Sequence, residues 1–232
     1  MSFIPGMTGA VRMKPTRQFS LEPVLFDSFS PGGASPTFTG HSIGAVPGFG
    51  ERRFVVAVAA AADSSGVNFT GINMNGVAMT EVVKRSGVTT PCGIFVAELA
   101  AGTTANFQIN FGSTPAGVGL QTFRMINAAG TSPFATVTGD HGSGLISLSH
   151  NVPGGGGVIA VAQGLNAAGS GSNTWSGLTE VVDSDLFTNE VMTVAYSGLK
   201  GRAVGTPAAF SVQNSNVAPA AFRGCAASFS PA

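Results

Sequence analysis

The sequence repeats a series of short landmarks in the same order and at a nearly constant interval. The tetrapeptide Thr-Glu-Val-Val at residues 80–83 returns at 179–182, and the dipeptide Phe-Arg at 123–124 returns at 222–223. Both intervals are 99 residues. Internal repetition constrains the fold more than composition does, because each copy must form an equivalent structural unit.

Three further landmarks keep the same order. They pair Ser35-Pro36 with Ser132-Pro133, Pro47-Gly48 with Pro153-Gly154, and Phe107-Gln-Ile-Asn110 with Phe210-Ser-Val-Gln-Asn214. Spacing between landmarks varies slightly, as loops tolerate. We therefore expect a β-sandwich over residues 35–232, built from two diverged halves, 35–131 and 132–232, and preceded by an extended arm, 1–34.

Apolar and polar residues alternate over several short runs, and this is the period of a half-buried β-strand. The cleanest run, residues 105–111, places Phe and Ile on one face and Asn and Gln on the other. Residues 53–59 and 158–162 are rich in Val and Ala without alternation, as expected for strands buried on both faces. No window of a dozen residues has a convincing helical period, so the pattern predicts an all-β protein of about 12–14 strands.

Glycine-rich turn signals separate these runs, and Asn75-Gly76 is the strongest because both positions suit positive φ in a two-residue hairpin. Two halves of six or seven strands could form two stacked sandwiches or one large jelly-roll-like sandwich. We favour the single sandwich. No Pro-rich or charged linker divides the chain near residue 131, and separated halves with so few charges would expose much apolar surface.

Charged residues make up only 9% of the chain, against about 25% in an average globular protein, and the net charge is zero. Hydrophobic residues make up 44%, which argues against disorder. Such a balance gives no general attraction to nucleic acid or to anionic membranes. No apolar run approaches the roughly 20 residues of a membrane span, and the N-terminus lacks the pattern of a secretory signal. We expect Cys92 and Cys225 to be buried free thiols in a protein assembled in a reducing cytoplasm.

Residues 1–34 differ from the remainder, since four prolines alternate with apolar side chains and three basic residues precede any acidic one. This segment either orders itself on a partner or forms an edge strand on its own domain. For the first alternative, the candidate partner-docking residues are Phe3, Ile4, Arg12, Lys14, Arg17 and Phe19.

The histidines do not indicate a metal or catalytic centre. His41, His141 and His150 have no zinc-site spacing, and the cysteines do not join them. Asp140-His141 with Ser143 resembles part of a catalytic triad, but neighbours in sequence do not make that spatial arrangement. We predict no catalytic residues, and hence no enzyme.

Two other segments have a functional and a structural interpretation. Asp183, Asp185 and Glu190 could hold Ca²⁺ on a loop, although a solvated loop end is the favoured interpretation. The glycines at 154–157 could cradle a phosphate, but the Lys-Ser/Thr and the helix that should follow are missing, so a turn is favoured. We predict no metal site and no cofactor.

Several segments together resemble a group of β-sandwich virion proteins of tailed bacteriophages. They are ERRFVVAVAAAADSSGVNFTGINMNGVAMTEVV, CGIFVAELAAGTTANFQINFG, VPGGGGVIAVAQGLN, NTWSGLTEVVDSD and RGCAASFSP. The group's motifs fall at residues 53–59, 67–83, 102–111, 175–180 and 224–230. A Met-Asn-Gly sequence stands at 74–76, where Gly-Gly is commoner in the group.

The resemblance implies a structural virion protein that binds the major capsid protein or other virion proteins, most simply as a capsid decoration or cement protein on the outer shell. It implies a homo-oligomer on the particle, assembled in the host bacterial cytoplasm, and brings no catalytic residues. The alternative within the group is a head-fibre, tail or fibre component, an adhesin that recognises a host surface glycan. The single Trp175 and single Tyr196 make this chain poorly equipped for sugar stacking.

Overall fold

The computed structural model describes residues 17–62, 67–86, 90–141, 144–165, 171–187, 190–198, 207–215 and 221–232, without the side chains of His141 and Ala221. Regular structure in these ranges is entirely β-strand. The strands are β1 Ser20–Phe29, β2 Thr37–Ser42, β3 Arg53–Ala62, β4 Phe69–Met74, β5 Val77–Ala78, β6 Thr80–Arg85, β7 Cys92–Glu98, β8 Thr104–Phe111, β9 Gly117–Ile126, β10 Ala135–His141, β11 Leu145–Asn151, β12 Gly157–Leu165, β13 Asn173–Ser176, β14 Thr179–Phe187, β15 Glu190–Gly198, β16 Pro207–Asn214 and β17 Ala221–Phe229.

The strands form four antiparallel sheets, two in each half of the chain. The first half has an inner sheet in the order β1-β9-β3-β7-β6 and an outer sheet in the order β2-β8-β4-β5. The second half has an inner sheet in the order β10-β17-β12-β15-β14 and an outer sheet in the order β11-β16-β13. Counting along each half, the two inner sheets have the same order, so each half is a separate jelly roll. The prediction of an all-β, jelly-roll-like sandwich protein is confirmed.

The two jelly rolls are stacked through their inner sheets, which gives four layers with three apolar cores between them. One core lies inside the first jelly roll around Phe107, and another lies inside the second around Phe210. The third, which we name the shared core, contains side chains of both inner sheets, among them Phe54, Phe123 and Ile159. Of the two arrangements that the sequence allowed, the structure therefore has two stacked sandwiches rather than the single one we favoured.

The central strands β3 and β12 are buried on both faces because each inner sheet separates two cores. Along β3, Val56 and Val58 enter the shared core, whereas Val55 and Ala57 enter the core of the first jelly roll. Every residue of β3 is buried, and so is every residue of β12 except Leu165. The Val/Ala-rich runs thus form the doubly buried strands that the sequence predicts.

The repeated Thr-Glu-Val-Val tetrapeptides occupy equivalent positions in the two jelly rolls. They begin the edge strands β6 and β14, where Thr80 pairs with Val96 and Thr179 pairs with Tyr196. Both strands carry a bulge at the same point, after Glu81 and after Glu180. Because bulges are specific local features, the shared bulge supports the equivalence of the two halves.

The repeated Phe-Arg dipeptides lie in equivalent strands, β9 and β17, but in different register. Phe123 pairs with Val56, whose counterpart Ile159 pairs with Ala227, five residues after Phe222. A shift by an odd number of residues turns a side chain to the other face of the sheet. Phe123 accordingly enters the shared core, whereas Phe222 enters the core of the second jelly roll.

Residues 20–29 belong to the first jelly roll and not to an arm. They form β1, which pairs with β9 at the edge of the inner sheet and corresponds to β10 in the second half. The boundary at residue 34 therefore falls one strand too late, and the Ser-Pro landmarks precede non-equivalent strands, β2 and β10. Of the two interpretations of this segment, the structure has the edge strand for residues 20–29.

The two turns singled out from the sequence are present. Asn75 (φ 52°) and Gly76 (φ 81°) join β4 to β5 in the tight hairpin that the dipeptide predicts. The glycine run at 154–157 lies between β11 and β12, and its turn is closed by the Gly156 N–H, which donates to the Pro153 carbonyl at 3.1 Å.

A pseudo-twofold axis roughly parallel to the strands relates the two jelly rolls. β1 contacts β14 and β15, whereas β6 contacts β10 and β17. The β1 edge of the first inner sheet therefore faces the β14 edge of the second, and the β6 edge faces the β10 edge. Corresponding ends of the strands lie at the same end of the stack. At one end of the stack, Ala232 donates its N–H to the carbonyl of Asn127 at 2.9 Å. Residue 17 precedes β1 at this same end, so residues 1–16 join the body there.

Candidate docking surface

The end of the stack from which residues 1–16 continue carries a loop that presents an exposed aromatic ring. This loop, residues 43–52 between β2 and β3, is named the docking loop. At its tip Phe49 is fully exposed, and Val46 is 50% exposed. Phe49 is the most exposed of the large apolar side chains in the part of the chain that the structure describes.

The tip of the docking loop is a hydrogen-bonded turn. The N–H of Glu51 donates to the carbonyl of Gly48 at 3.0 Å, and the N–H of Gly48 donates to Glu51 Oε2 at 2.8 Å. Gly50 takes φ +77°, where a side chain would be strained. The turn therefore fixes the backbone at Phe49, which lowers the backbone entropy lost when the ring is bound.

A buried arginine fixes the base of the docking loop. Arg53 is fully buried at the start of β3 and donates to the carbonyls of Gly44 and Ala45 at 3.1 and 3.0 Å. It also donates to the carbonyls of Leu99 and Ala101, both at 2.8 Å, so it joins this loop to the β7–β8 connection. Burial, and to a smaller extent the charge of Arg124, lowers the pKa of Arg53, yet a guanidinium stays protonated.

Ion pairs flank the loop on both sides. Arg52 donates to Glu98 from Nε at 2.9 Å and from Nη2 at 2.6 Å, and its guanidinium lies 5.0 Å from the centre of the Phe54 ring. The hydrogen bond from Arg52 holds the pKa of Glu98 below its usual value. On the other side, Arg124 donates to Glu22 at 3.3 Å. The charges of Arg52 and Arg124 are thus paired within the protein.

The structure divides the predicted docking residues. Phe3, Ile4, Arg12 and Lys14 lie outside the described residues. Arg17 is exposed and lies against the docking loop, because a Cβ at Gly50 would be 3.1 Å from Arg17 Nη2. Phe19 is buried in the shared core, where it covers Gly157 of the second jelly roll. Its ring is therefore not available to a partner, and Phe19 is no longer a candidate docking residue.

The second jelly roll has no equivalent of the docking loop. Its connection between β11 and β12 is residues 152–156, five residues against ten in the first jelly roll. Val152 is fully buried, and a Cβ at Gly156 would collide with the Phe229 carbonyl. This connection is packed down on the body and does not project as its counterpart in the first half does.

The residues that the sequence offers for catalysis form structural interactions where the structure describes them. Asp140 forms an ion pair with Arg85, from the other jelly roll, and lies 3.7 Å from Arg223 Nε. His41 is buried and contacts the Leu25 carbonyl at 3.3 Å through Nε2. Of the triad-like motif, Ser143 and the side chain of His141 lie outside the described residues. Asp140 thus joins the two jelly rolls.

The acidic cluster does not converge on one point. Asp183 accepts hydrogen bonds from the backbone and side chain of Asn173, both at 3.0 Å, whereas Glu190 is buried and accepts one from Gln163 at 3.0 Å. Among the described residues, no group of three or more His, Cys, Asp or Glu side chains could hold a metal ion. The Ca²⁺ interpretation therefore has no support within that part of the chain.

The depression lined by Ser147, Ser149, Ser176 and Ser211 on the outer sheet of the second jelly roll is open, with a volume of about 380 Å³. Its lining contains no titratable side chain. Trp175 packs beneath this sheet and donates from Nε1 to Thr193 Oγ1 at 2.7 Å, so it is a core residue, as the sequence predicts.

Phe49 was missed by the sequence analysis because no pattern distinguishes an exposed Phe from a buried one in a loop. Its flanking glycines, Gly48 and Gly50, are the signal that could have found it, since they favour a tight projecting turn. Comparison with protein-family models gives no match, and comparison with curated proteins finds no similar sequence. The described residues include no helix with the length and apolar character of a membrane span.

Proposed function

We propose that this protein is a structural virion component of a tailed phage, a decoration or cement protein that binds the major capsid protein on the outer shell. The observation that carries the proposal is the docking loop, an ordered loop with a fully exposed Phe49 beside the point where residues 1–16 join the body. The jelly roll recurs among capsid proteins, although a fold alone does not assign a function.

The surface suits a protein that is fixed among many neighbours. The exposed faces of the outer sheets carry mainly Thr, Asn, Gln and Ser, for example Asn106 and Gln108 in β8 and Ser147 and Ser149 in β11. Amides on the first of these sheets already bond to each other, since Asn73 donates to Gln108 at 3.3 Å. Such faces are flat and nearly uncharged, so attachment would depend on buried apolar area and on many copies acting together.

The adhesin alternative has less support. Glycan sites usually stack a sugar on an exposed aromatic ring. Trp175 is buried and Tyr196 packs against Phe123 with ring centres 5.7 Å apart, which leaves phenylalanines such as Phe49 as the exposed rings. Copy number separates the two candidates, because a decoration protein is present in hundreds of copies and a tail component in a few to a few dozen.

The test uses particles that lack the protein and the purified chain added back to them. The Phe49→Ala variant should bind about 10- to 100-fold more weakly, because burying a Phe side chain contributes about 1.5–3 kcal/mol. Phe187→Ala is the matched control, since Phe187 is 49% exposed and pairs with Glu190 at the opposite end of the stack.

Moderate salt should change the binding of the wild-type chain little, because it carries zero net charge. Deletion of residues 1–16, which leaves β1 intact, should lower occupancy further. Unchanged binding of both the Phe49→Ala variant and the truncated chain would contradict the proposed docking surface, and an absence of binding by the wild type would contradict the function.

A further inference from the structure

The two cysteines meet across the shared core, one from each jelly roll. Cys92 begins β7 of the first inner sheet, and Cys225 lies in β17 of the second. Both are free and fully buried. Both side chains enter the shared core, and two residues before each of them Arg223 Nη1 donates to Thr90 Oγ1 at 3.4 Å, so the two cysteines lie side by side across the seam.

The strands that carry these cysteines are unusually close for two packed sheets. Face-to-face sheets are about 10 Å apart, whereas β7 and β17 approach within 8 Å between Cα atoms. Small neighbours permit this approach, since Cys92 pairs with Ala60 in its own sheet and is followed by Gly93. A disulfide between Cys92 and Cys225 requires their Cα atoms to lie about 4.4–6.8 Å apart.

The pseudo-twofold axis supplies an internal comparison. The position equivalent to Cys92 is Met192, and the position equivalent to Cys225 is Gln121. The symmetry-related point of the shared core therefore contains no thiol, and only one side of the seam can be cross-linked.

We propose that Cys92 and Cys225 form an oxidation-dependent disulfide that locks the two jelly rolls together. The thiols stay reduced in a reducing cytoplasm and become oxidised by a peroxide after the protein leaves it. Peroxide converts one thiol to a sulfenic acid with release of water, and the second thiol then displaces the hydroxyl as another water. Two thiols lose one electron and one proton each, and the peroxide O–O bond takes up both electrons.

Oxidation should be slow in the folded protein. The neighbouring Cys92 thiol, and after it burial, raise the pKa of Cys225 well above its usual value, although the charge of Arg85 acts in the opposite direction. Hydrogen peroxide is small and uncharged, so it can reach the pair when the seam opens locally. A bond across this seam would close a loop of more than 100 residues, the case in which disulfides stabilise most in the chain-entropy model.

The experiment compares the full-length protein before and after treatment with hydrogen peroxide. Treated protein should incorporate no alkylating reagent after denaturation, should weigh less by two hydrogens, and should yield a linked peptide containing both cysteines. Its Tm should rise by roughly 10 °C and return after addition of dithiothreitol. Cys92→Ala and Cys225→Ala should each remove the rise.

Intermolecular cross-linking, separate sulfinic acids at the two positions, or a disulfide without a rise in Tm would overturn the proposal. So would two thiols that remain alkylatable after treatment. If the alanine variants fold poorly, mass and Tm of the treated and reduced wild-type protein decide the question alone.

Discussion

The first and second jelly rolls share one topology but differ in what they present to solvent. The first carries a ten-residue docking loop with Phe49 exposed, whereas the second replaces it with five residues packed on Phe229. Both contribute their inner sheets to the shared core. The two halves are therefore alike in the strands that bury apolar surface and differ in this loop.

Separating the halves should have the largest effect on this molecule. Residues 17–131 and 132–232 expressed alone would each expose the face that now forms the shared core, with Val56 and Val58 in one case and Ile159 and Val161 in the other. We expect both to aggregate alone and to form a soluble complex when co-expressed, as measured by analytical ultracentrifugation. Two soluble, folded monomers would show that the shared core is dispensable.

Equivalent core positions should respond equally to truncation. Phe107 and Phe210 occupy matching positions in β8 and β16, each in the core of its own jelly roll. Phe107→Ala and Phe210→Ala should each lower the free energy of unfolding by about 3–5 kcal/mol, because each leaves a large cavity. Urea denaturation measures both values. A loss in only one variant would mean that the repeats are not energetically equivalent.

The seam between the jelly rolls should be sensitive to a single added methyl group. A Cβ at Gly117 in β9 would collide with the carbonyl of Leu186 in β14, and that carbonyl cannot rotate away as a side chain could. Gly117→Ala should therefore lower stability by about 1–3 kcal/mol in thermal or urea denaturation.

Gly198 is the matched control for this substitution. It lies at the end of β15, exposed to solvent, and a Cβ there would meet no atom within 4 Å. Gly198→Ala should leave stability within a few tenths of a kcal/mol of the wild type. Equal loss in both variants would mean that the seam is not tightly packed at Gly117.

Acid should weaken both halves in a gradual way through two buried histidines. His41 and His150 lie at equivalent positions, since each pairs with an Ala two residues before the core Phe. Burial lowers the pKa of each, although hydrogen bonds to Leu25 and Ala135, together with Asp27 near His41, act in the opposite direction. The unfolded chain therefore binds protons more readily, so stability is complete above about pH 6.5 and falls as the pH drops below that value.

Unfolding free energy measured between pH 7.5 and pH 5 checks this dependence. His41→Gln and His150→Gln should each flatten the curve, and the double variant should flatten it most. A pH profile that is the same in the double variant and the wild type would show that other groups titrate in this range.

The sequence predicted strands and turns well because their signals are local. Each of these signals depends only on residues close together in the sequence. They are the alternation at 105–111, the Val/Ala-rich runs and the Asn75-Gly76 hairpin. The Thr-Glu-Val-Val repeat also identified a true equivalence, because the bulge after Glu81 and Glu180 makes that tetrapeptide structurally specific.

Features that depend on partners distant in sequence were not predictable. The Phe-Arg repeat lies in equivalent strands but on opposite faces, and a dipeptide carries no information on register. Phe19 and Leu21 are apolar residues in a Pro-rich segment, so the sequence does not show whether they contact a partner or the protein itself. They are buried because Gly157 of the other half packs against them. The position of the docking loop, and with it the exposure of Phe49, likewise depends on Arg53, which donates hydrogen bonds to the base of that loop.

A three-dimensional reconstruction of particles that carry this protein most directly tests the proposal that it decorates the capsid through the docking loop. The proposed function predicts hundreds of copies on the outer shell, oriented so that Phe49 and Arg17 of the first jelly roll face the capsid protein and the outer sheet faces do not. A few copies at the tail, or attachment through the outer sheets or through the opposite end of the stack, would contradict it.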